Sequence, residues 1–581
     1  MFRHSNKSYQ LNLFSSAHTL LAGTVLRDYE DKYKWHNQFR EQVTQRIDED
    51  LFRPLFCEDF GAPNASIRVL IGMMILKEAQ GWSDSQLFEH CKFNLLVRSA
   101  LGFMNIDDSV PAPSTYYLLR RRIVSWEKEG HGNLIEKVFA QATKSQAIEF
   151  QINGNKIRMD SKLLGSNISW YTRYELVHET VRKAYECAKF RIDGILSKSD
   201  KELLRRIAGE SGDKVSYRSS RTELENQLTL LGSIIYKIIN QLDDNSLEVL
   251  QTLRRVFHEQ YQVSDDQVSA LPKQEISAAS IQSPHDTDCH YRQKDDRQVK
   301  GYSINVTETC DTGETLNLVT NVIVDTATAA DCDFLQPAIE ATQEVVTQKI
   351  ETTNADGAYH SVENQDYCKE NGIDFVVSAI QGRPSRYDLS TDEKGDLVVT
   401  DLQTNTIIPS RVVASHKADA QPKWAILNDQ NKNRYFTQKD IDTSLLRQQI
   451  AARTQAELNF RNNVEATVFQ LGYHYPNAKS RYRGIIKHRM WANLRCLWIN
   501  FIRIAKFIAR KSDSYAKKIR NYWILPRFYA QNVGKQSFLT VFLHFLIKPV
   551  KTMFLVQTAE KFCPCFKTIR WKMNFGKNDL L

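Results

Sequence analysis

The chain has 581 residues, 42% hydrophobic and 25% charged, with ten cysteines and a formal net charge of +9. This length exceeds one hydrophobic core and calls for roughly two to four domains, and the composition excludes a disordered, collagen-like or disulfide-dense protein. The longest apolar run, residues 538–547, is too short to span a bilayer, and the first residues lack the apolar core of a secretory leader, so neither an embedded nor an exported chain is expected.

The charge is unevenly placed. Beyond Glu465, 22 Lys and Arg stand against three acids, whereas the preceding part carries 55 against 65. A mildly acidic body with a basic tail calls for a polyanionic partner. Nucleic acid and an anionic membrane surface both satisfy that, as does a tail that is merely solvated. The cysteines are scattered without zinc spacing, and Cys563 and Cys565 form a lone CxC. Free thiols in a reducing cytoplasm are the expectation.

In chain order, the first 150 residues read as helical. Residues 66–81 run from a Ser66 cap to a Gly81 stop, and 83–97 open with Ser83 and Gln86 at capping-box spacing. A turn at 107–115 precedes a helix over 116–126 with Arg120, Arg121 and Arg122 in succession. That helix can present its arginines to phosphates or simply pack with a basic outer side. Residues 154–169 begin as a strand, with Ile157 and Met159 alternating with charges, but carry Asp160 and then small polar residues. Residues 170–262 read as helix again, with a heptad seam of Leu224, Leu228, Leu231, Ile235, Ile238 and Leu242, and 263–288 as a polar connector.

Beyond it the period becomes two. Strands are expected over 298–310 and 316–327, joined by a turn at 311–315, then a helix over 331–346, a strand-to-loop passage over 349–361 and a strand over 372–380. Residues 383–445 read as a β-rich insertion, 442–472 as one long helix, and the remainder as a basic, aromatic, helical tail. In that tail an apolar stripe including Trp491 and Trp498 should face the core and leave the basic residues in solvent.

Two further carboxylates stand at matching places. Asp356 lies in "NADGAY" at a strand end, where a plain Asp-Gly turn would also explain it. Glu465 lies in "RNNVEATVFQ" within a helix, where an ion pair with Arg461 one turn earlier would also explain it. The ordered set is a strand Asp, an Asp at a later strand end and a helix Glu.

That set, with "RMDSKLLGSN", "SPHDTDCHYRQKDDRQVKGYSINVTET", "NADGAY" and the stretch from "RNNVEATVFQLG" through the Tyr-Arg-Gly at 482–484, resembles the DDE transposases of bacterial insertion sequences. The helical stretch 66–103 resembles their N-terminal leader, and the likeness covers roughly residues 50–505. The resemblance implies an α/β fold with an RNase H-like mixed sheet. Its domains would be helical 1–150, catalytic 151–169 and 281–500, a helical insertion and linker at 170–280, the β-rich insertion at 383–445 and a basic helical tail at 501–581. It implies that Asp160, Asp356 and Glu465 hold two Mg²⁺ or Mn²⁺ ions and that Arg461, Arg481, Arg483, Lys487, Arg120, Arg121 and Arg122 contact DNA. Its partners would be double-stranded DNA, as inverted-repeat ends and target, and further copies of itself, at least a dimer, in the cytoplasm and on no membrane. Alternatives on the same core are a nuclease that does not join strands and an inactive DNA-binding derivative. Some of these families place a Tyr and a Lys where this chain has Leu458 and Gly472, and Arg481, Arg483 or Lys487 would then supply the missing cation. His285, His290 and His360 are further candidates, with His360 placed either to touch a phosphate or a metal-bound water or to serve as a hydrogen-bonding loop residue, and Asp325 and Asp331 read as capping residues.

Overall fold

The computed structural model describes residues 1–5, 14–242, 246–294, 296–311, 315–379, 385–392, 396–413, 423–427, 433–475 and 478–511. Most of the basic tail, the apolar run at 538–547, Cys563 and Cys565, and the tip of the 311–315 turn lie outside the described residues. Residues 1–507 form one compact unit; residues 508–511 are the described part of a second.

At the centre lies a mixed sheet of six strands: β1 (Lys156–Gly165), β2 (His290–Lys294), β3 (Arg297–Thr309), β4 (Val319–Thr326), β5 (Thr352–Ala355) and β6 (Asp374–Val377). The order runs β4-β3-β1-β5-β6, and β2 continues the outer edge beside the first half of β3. β3 is antiparallel to β1 and β4, whereas β5 and β6 run parallel to β1. This is the RNase H-like arrangement. β1 and β3 approach closely at Gly165 and Gly301, where a Cβ on Gly301 would lie only 2.0 Å from the Leu164 carbonyl oxygen.

Each face of the sheet has its own core, as the period-two pattern requires. Ile157 and Met159 pack with Leu335, Ala338 and Ile339 of the helix Leu335–Val346. On the other face, Leu164, Tyr302, Ile304 and Val306 join a larger core with the N-terminal helices and the helix Ile485–Lys511. Helix Ile67–Gln80 is buried on nearly every side there, capped by the Ser66 hydroxyl and ended by Gly81 in the left-handed region.

Several elements depart from the sequence reading. The helix expected over 83–97 keeps its Ser83–Gln86 capping box but ends at Phe93, because Asn94 leaves helical geometry and caps a new helix, Leu95–Leu101. The connector over 263–288 contains a small hairpin, Tyr261–Ser264 with Gln267–Ala270. The long helix over 442–472 is three helices: Gln438–Ala452, which begins inside the β-rich segment, Gln455–Asn459 and Asn462–Leu471. Extended backbone at Arg453 and Thr454 makes the first break, where Thr454 starts a capping box with Glu457. At the second, the Phe460 carbonyl accepts from Arg158 at 3.1 Å and the Val464 amide turns to Arg461 instead. The heptad seam packs within the chain: Leu228, Leu231, Ile235 and Ile238 are buried among the insertion's other helices.

Candidate catalytic site

Residues alternate along β1, so Arg158, Asp160, Lys162 and Leu164 share one face. Helix Asn462–Leu471 packs on β1 and β3 and buries Val464, Val468 and Leu471 in the core of that face. Asp160 is half-buried, paired across the strands with Val306. The parallel register aligns Ile157 with Thr353 and Arg158 with Asn354; Asp160 and Asp356 each follow two residues past that last pair, and the Asp356 charge acts on Asp160. Neighbouring strands lie about 4.8 Å apart. Asp356 follows the last residue of β5 and accepts from the Ala358 amide, which bends the chain into the turn Gly357–Tyr359. Tyr359 is fully buried and donates to Asn305 at 2.6 Å, so the turn is anchored beneath the sheet end. Glu465 is exposed in the first turn of its helix, where the dipole favours a carboxylate.

Arg461 joins these acids. It pairs with Asp356 at 3.2 Å through one nitrogen and with Glu465 through the other. The i, i+4 pair that would explain Glu465 as an ordinary helix residue is present, but the same guanidinium also reaches Asp356 on another element. Burial pushes the Asp160 carboxyl up to about 6, with Asp356 and Glu465 adding to the rise and Arg461 opposing it. Despite burial, Arg461 is held above the ordinary arginine range by Asp160, Glu465 and Asp356. Among the described residues no three His, Cys, Asp or Glu side chains form a ready ligand cluster. The acids share one neighbourhood, bound by a cation.

A buried network supports them from below. Glu308 is fully buried; it pairs with Arg158 at 2.5 Å and Arg503 at 2.7 Å and accepts from Thr467 at 2.6 Å. Burial alone would raise its carboxyl, but Arg503 and Arg158 bring it below the usual carboxylate range. The network ties β1, β3, the Glu465 helix and the helix Ile485–Lys511 together.

The remaining candidates separate. Arg481 is exposed and donates to the carbonyls of Trp82 and Gly81 at 3.0 and 2.6 Å; Arg483 is exposed and donates to Asn167 at 2.6 Å; Lys487 is exposed. Arg120 and Arg122 are half-buried, lying over the rings of Tyr116 and Phe56, and Arg121 is exposed. Successive helical residues point about 100° apart, so the three arginines do not form one face. The expectation of a uniformly solvent-facing basic side after residue 479 fails for three residues. Arg495 is buried and donates to the carbonyls of Leu471, Glu78, Ala79 and Gln470, Arg489 pairs with Glu127 at 3.4 Å, and Arg503 serves Glu308. Trp491 is buried and Trp498 half-buried in the large core.

His285 meets Glu179 at 2.8 Å, His290 meets Thr328 at 2.6 Å and His360 meets Gln365 at 3.3 Å. Asp331 accepts from Ser161 at 2.8 Å, and Asp325 accepts from the Thr326 amide at 2.6 Å.

One residue near the acids was not singled out in the sequence. Lys162 reaches from β1 over Gly472, at the end of the Glu465 helix, where a Cβ would stand 3.3 Å from its Nζ. The cation nearest the place of the missing lysine is therefore Lys162, not Arg481, Arg483 or Lys487. The only available signal was its position two residues after Asp160, which puts both on one strand face.

Residues 27–122 match the model of the Transposase domain (DUF772), and residues 271–499 match that of the Transposase DDE domain. Asp356, Glu465 and Arg461 fall inside the second match, and Asp160 precedes it. No curated protein matches the chain significantly in sequence. Among solved structures, a cryo-EM structure of piggyBac transposase in a synaptic complex with hairpin DNA aligns at 9% identity over 86% of this chain and 83% of that one, with a TM-score of 0.24. With a transposase domain on its N-terminal helices and a transposase DDE domain over the sheet strands after β1 and the helices that follow, the chain belongs to the DDE transposases.

Proposed function

We propose that the chain cleaves DNA at the ends of a bacterial insertion sequence and joins the freed ends to target DNA, with Asp160, Asp356 and Glu465 as its catalytic carboxylates. The observation that carries this is the Arg461 guanidinium, which pairs with both Asp356 and Glu465 just past the end of the β1–β5 register that leads toward Asp160. The three acids offer only hard oxygen donors, and burial, with a smaller push from Asp356 and Glu465, raises the Asp160 carboxyl above its ordinary range. Asp160, Asp356 and Glu465 would hold two Mg²⁺ or Mn²⁺ ions, which when bound activate the attacking oxygen and stabilise the leaving one in an in-line displacement at phosphorus.

The chain's own residues supply the rest. The strands fix Asp160 and Asp356 on rigid backbone, and the Glu308 network fixes the helix that carries Glu465. Arg461 neutralises the acids while no metal is bound. The nucleophile is water for cleavage and a DNA 3′-hydroxyl for joining, so no side-chain nucleophile is required. Exposed Arg481, Arg483 and Lys487 would hold backbone phosphates.

The test uses DNA flanking the coding region, as duplexes with intact or pre-cleaved ends. The parent should nick the first and join the second to a target plasmid in Mg²⁺, while Asp160→Asn binds both and does neither. Nicking without joining would leave a nuclease. Equal cleavage by Asp160→Asn and parent would remove the site assignment.

A further inference from the structure

Two helix ends meet at one buried arginine. Helix Ile67–Gln80 belongs to the N-terminal transposase domain, and helix Asn462–Leu471 carries Glu465. The last carbonyls of a helix lack an intrahelical partner, and each C-terminus carries roughly half a negative charge. Here both ends turn to Arg495. Its Nη1 donates to the Glu78 and Ala79 carbonyls at 2.9 and 3.1 Å, its Nε to the Leu471 carbonyl at 3.1 Å and its Nη2 to that of Gln470. Arg495 is only 4% exposed, so it needs a counter-charge. Two helix C-termini together supply roughly one. The Glu78 carboxylate itself is engaged elsewhere, accepting from the Tyr482 hydroxyl and from that of Tyr475 at 3.3 Å. His474, just past the Glu465 helix, adds a bond to the Ala79 carbonyl at 2.7 Å. Its ring lies against Gly81, where a Cβ would stand 2.8 Å away.

The two ends of the Glu465 helix are thus held by different parts of the chain. Its entry is tied to the sheet, through Arg158 at the Phe460 carbonyl and Thr467 on Glu308. Its exit is tied to the N-terminal domain. Glu465 stands in the first turn, roughly 9 Å along the axis from Leu471, so a tilt at the exit displaces the carboxylate. A guanidinium suits this joint because its planar fork spreads five N–H donors, whereas an ammonium offers three from one point.

We infer that Arg495 is a positioning residue for catalysis: it seats the Glu465 helix on the N-terminal helix Ile67–Gln80, so the place of the third carboxylate depends on a domain that contributes no carboxylate to the site. The consequence for catalysis rests on the reading of Glu465 as a metal-holding residue. The joint itself is read by hydrogen exchange, which does not need that reading.

Arg495→Lys keeps the charge but cannot serve both helix ends. In EDTA its hydrogen exchange should quicken at residues 77–80 and at Val464–Leu471 together, with β3 at the parental rate. Its cleavage rate at saturating duplex should need roughly tenfold more Mg²⁺ to reach half its maximum, as when the support behind a metal ligand is removed. Gly81→Ala reaches the joint from the other side, because its methyl displaces His474. It should quicken exchange in the Glu465 helix and raise the Mg²⁺ requirement in the same direction. Parental exchange at Val464–Leu471 in folded Arg495→Lys overturns the inference. So does quickening that extends to β3, or a lowered melting temperature with an unchanged Mg²⁺ requirement, since either marks a merely structural arginine. If Arg495→Lys does not fold, Gly81→Ala decides, and parental exchange in its Glu465 helix overturns the inference. If exchange quickens as stated but no form of the protein cleaves, the parent included, the transposase reading fails and the joint stands.

Discussion

Arg461 pairs with Asp356 at 3.2 Å although one residue begins a helix and the other follows the end of a strand far earlier in the chain. The same guanidinium holds Glu465. A cation between two carboxylates competes with any metal that needs those oxygens. Arg461→Gln should therefore bind Ca²⁺ more tightly than the parent, by roughly tenfold if about 1.4 kcal/mol of ion pairing is released. Isothermal titration without DNA measures this, and equal affinities would mean that the guanidinium does not obstruct the site.

The raised Asp160 pKa makes a prediction about pH. A carboxyl whose folded pKa lies above its unfolded value holds its proton more tightly in the fold. Its contribution to stability is complete below about pH 3.9 and is lost as pH rises through about 6. Asp160→Asn cannot ionise and escapes that loss. In EDTA it should be more stable than the parent by ~1–2 kcal/mol near neutral pH, after allowance for partial solvent access, and equal to it at acid pH. Urea melts at both ends of the window would expose an error, most clearly if the variant were less stable at neutral pH.

Glu308 is the shared acceptor of Arg158, Arg503 and Thr467. Glu308→Gln removes the charge and leaves the buried Arg158 and half-buried Arg503 guanidinium groups unmatched. We expect a loss of about 3–5 kcal/mol in denaturant unfolding. The Glu465 helix should loosen first, because Arg158 also holds the Phe460 carbonyl at its entry. Hydrogen exchange at Val464–Leu471 no faster than the parent's would separate the network from that helix.

Arg481, Arg483 and Lys487 are exposed together after the Glu465 helix. Replacing all three by Ala should weaken binding to many sequences alike and flatten the salt slope by up to about three units. Arg481 also bonds the end of helix Ile67–Gln80 through Gly81, so the melting temperature must be followed alongside. An unchanged slope in a folded variant would return these residues to a structural role.

The sequence by itself determined the elements that depend on local chemistry. Ser66 and Gly81 bracket their helix because a hydroxyl cap and a left-handed stop act within one turn. The alternation of Ile157 and Met159 marks a strand because burial on one face requires period two. The three acids were proposed from the sequence because Asp160 lies partway along a strand, Asp356 just past another and Glu465 on a helix, each within a motif that resembles the family's. Only the tertiary structure decided what those acids touch. The breaks at Asn94, Thr454 and Phe460 come from caps and from a distant arginine competing for backbone groups, which helical periodicity cannot register. The fates of the basic residues were likewise hidden: Arg495 and Lys162 carry the same formal charge in the sequence, yet one is spent on four buried carbonyls and the other lies half-buried over Gly472 at the end of the Glu465 helix. Charge is a property of a residue. Its partner is a property of the fold, because the groups that meet at this site come from segments hundreds of residues apart and are brought together by the packing of the sheet and its helices.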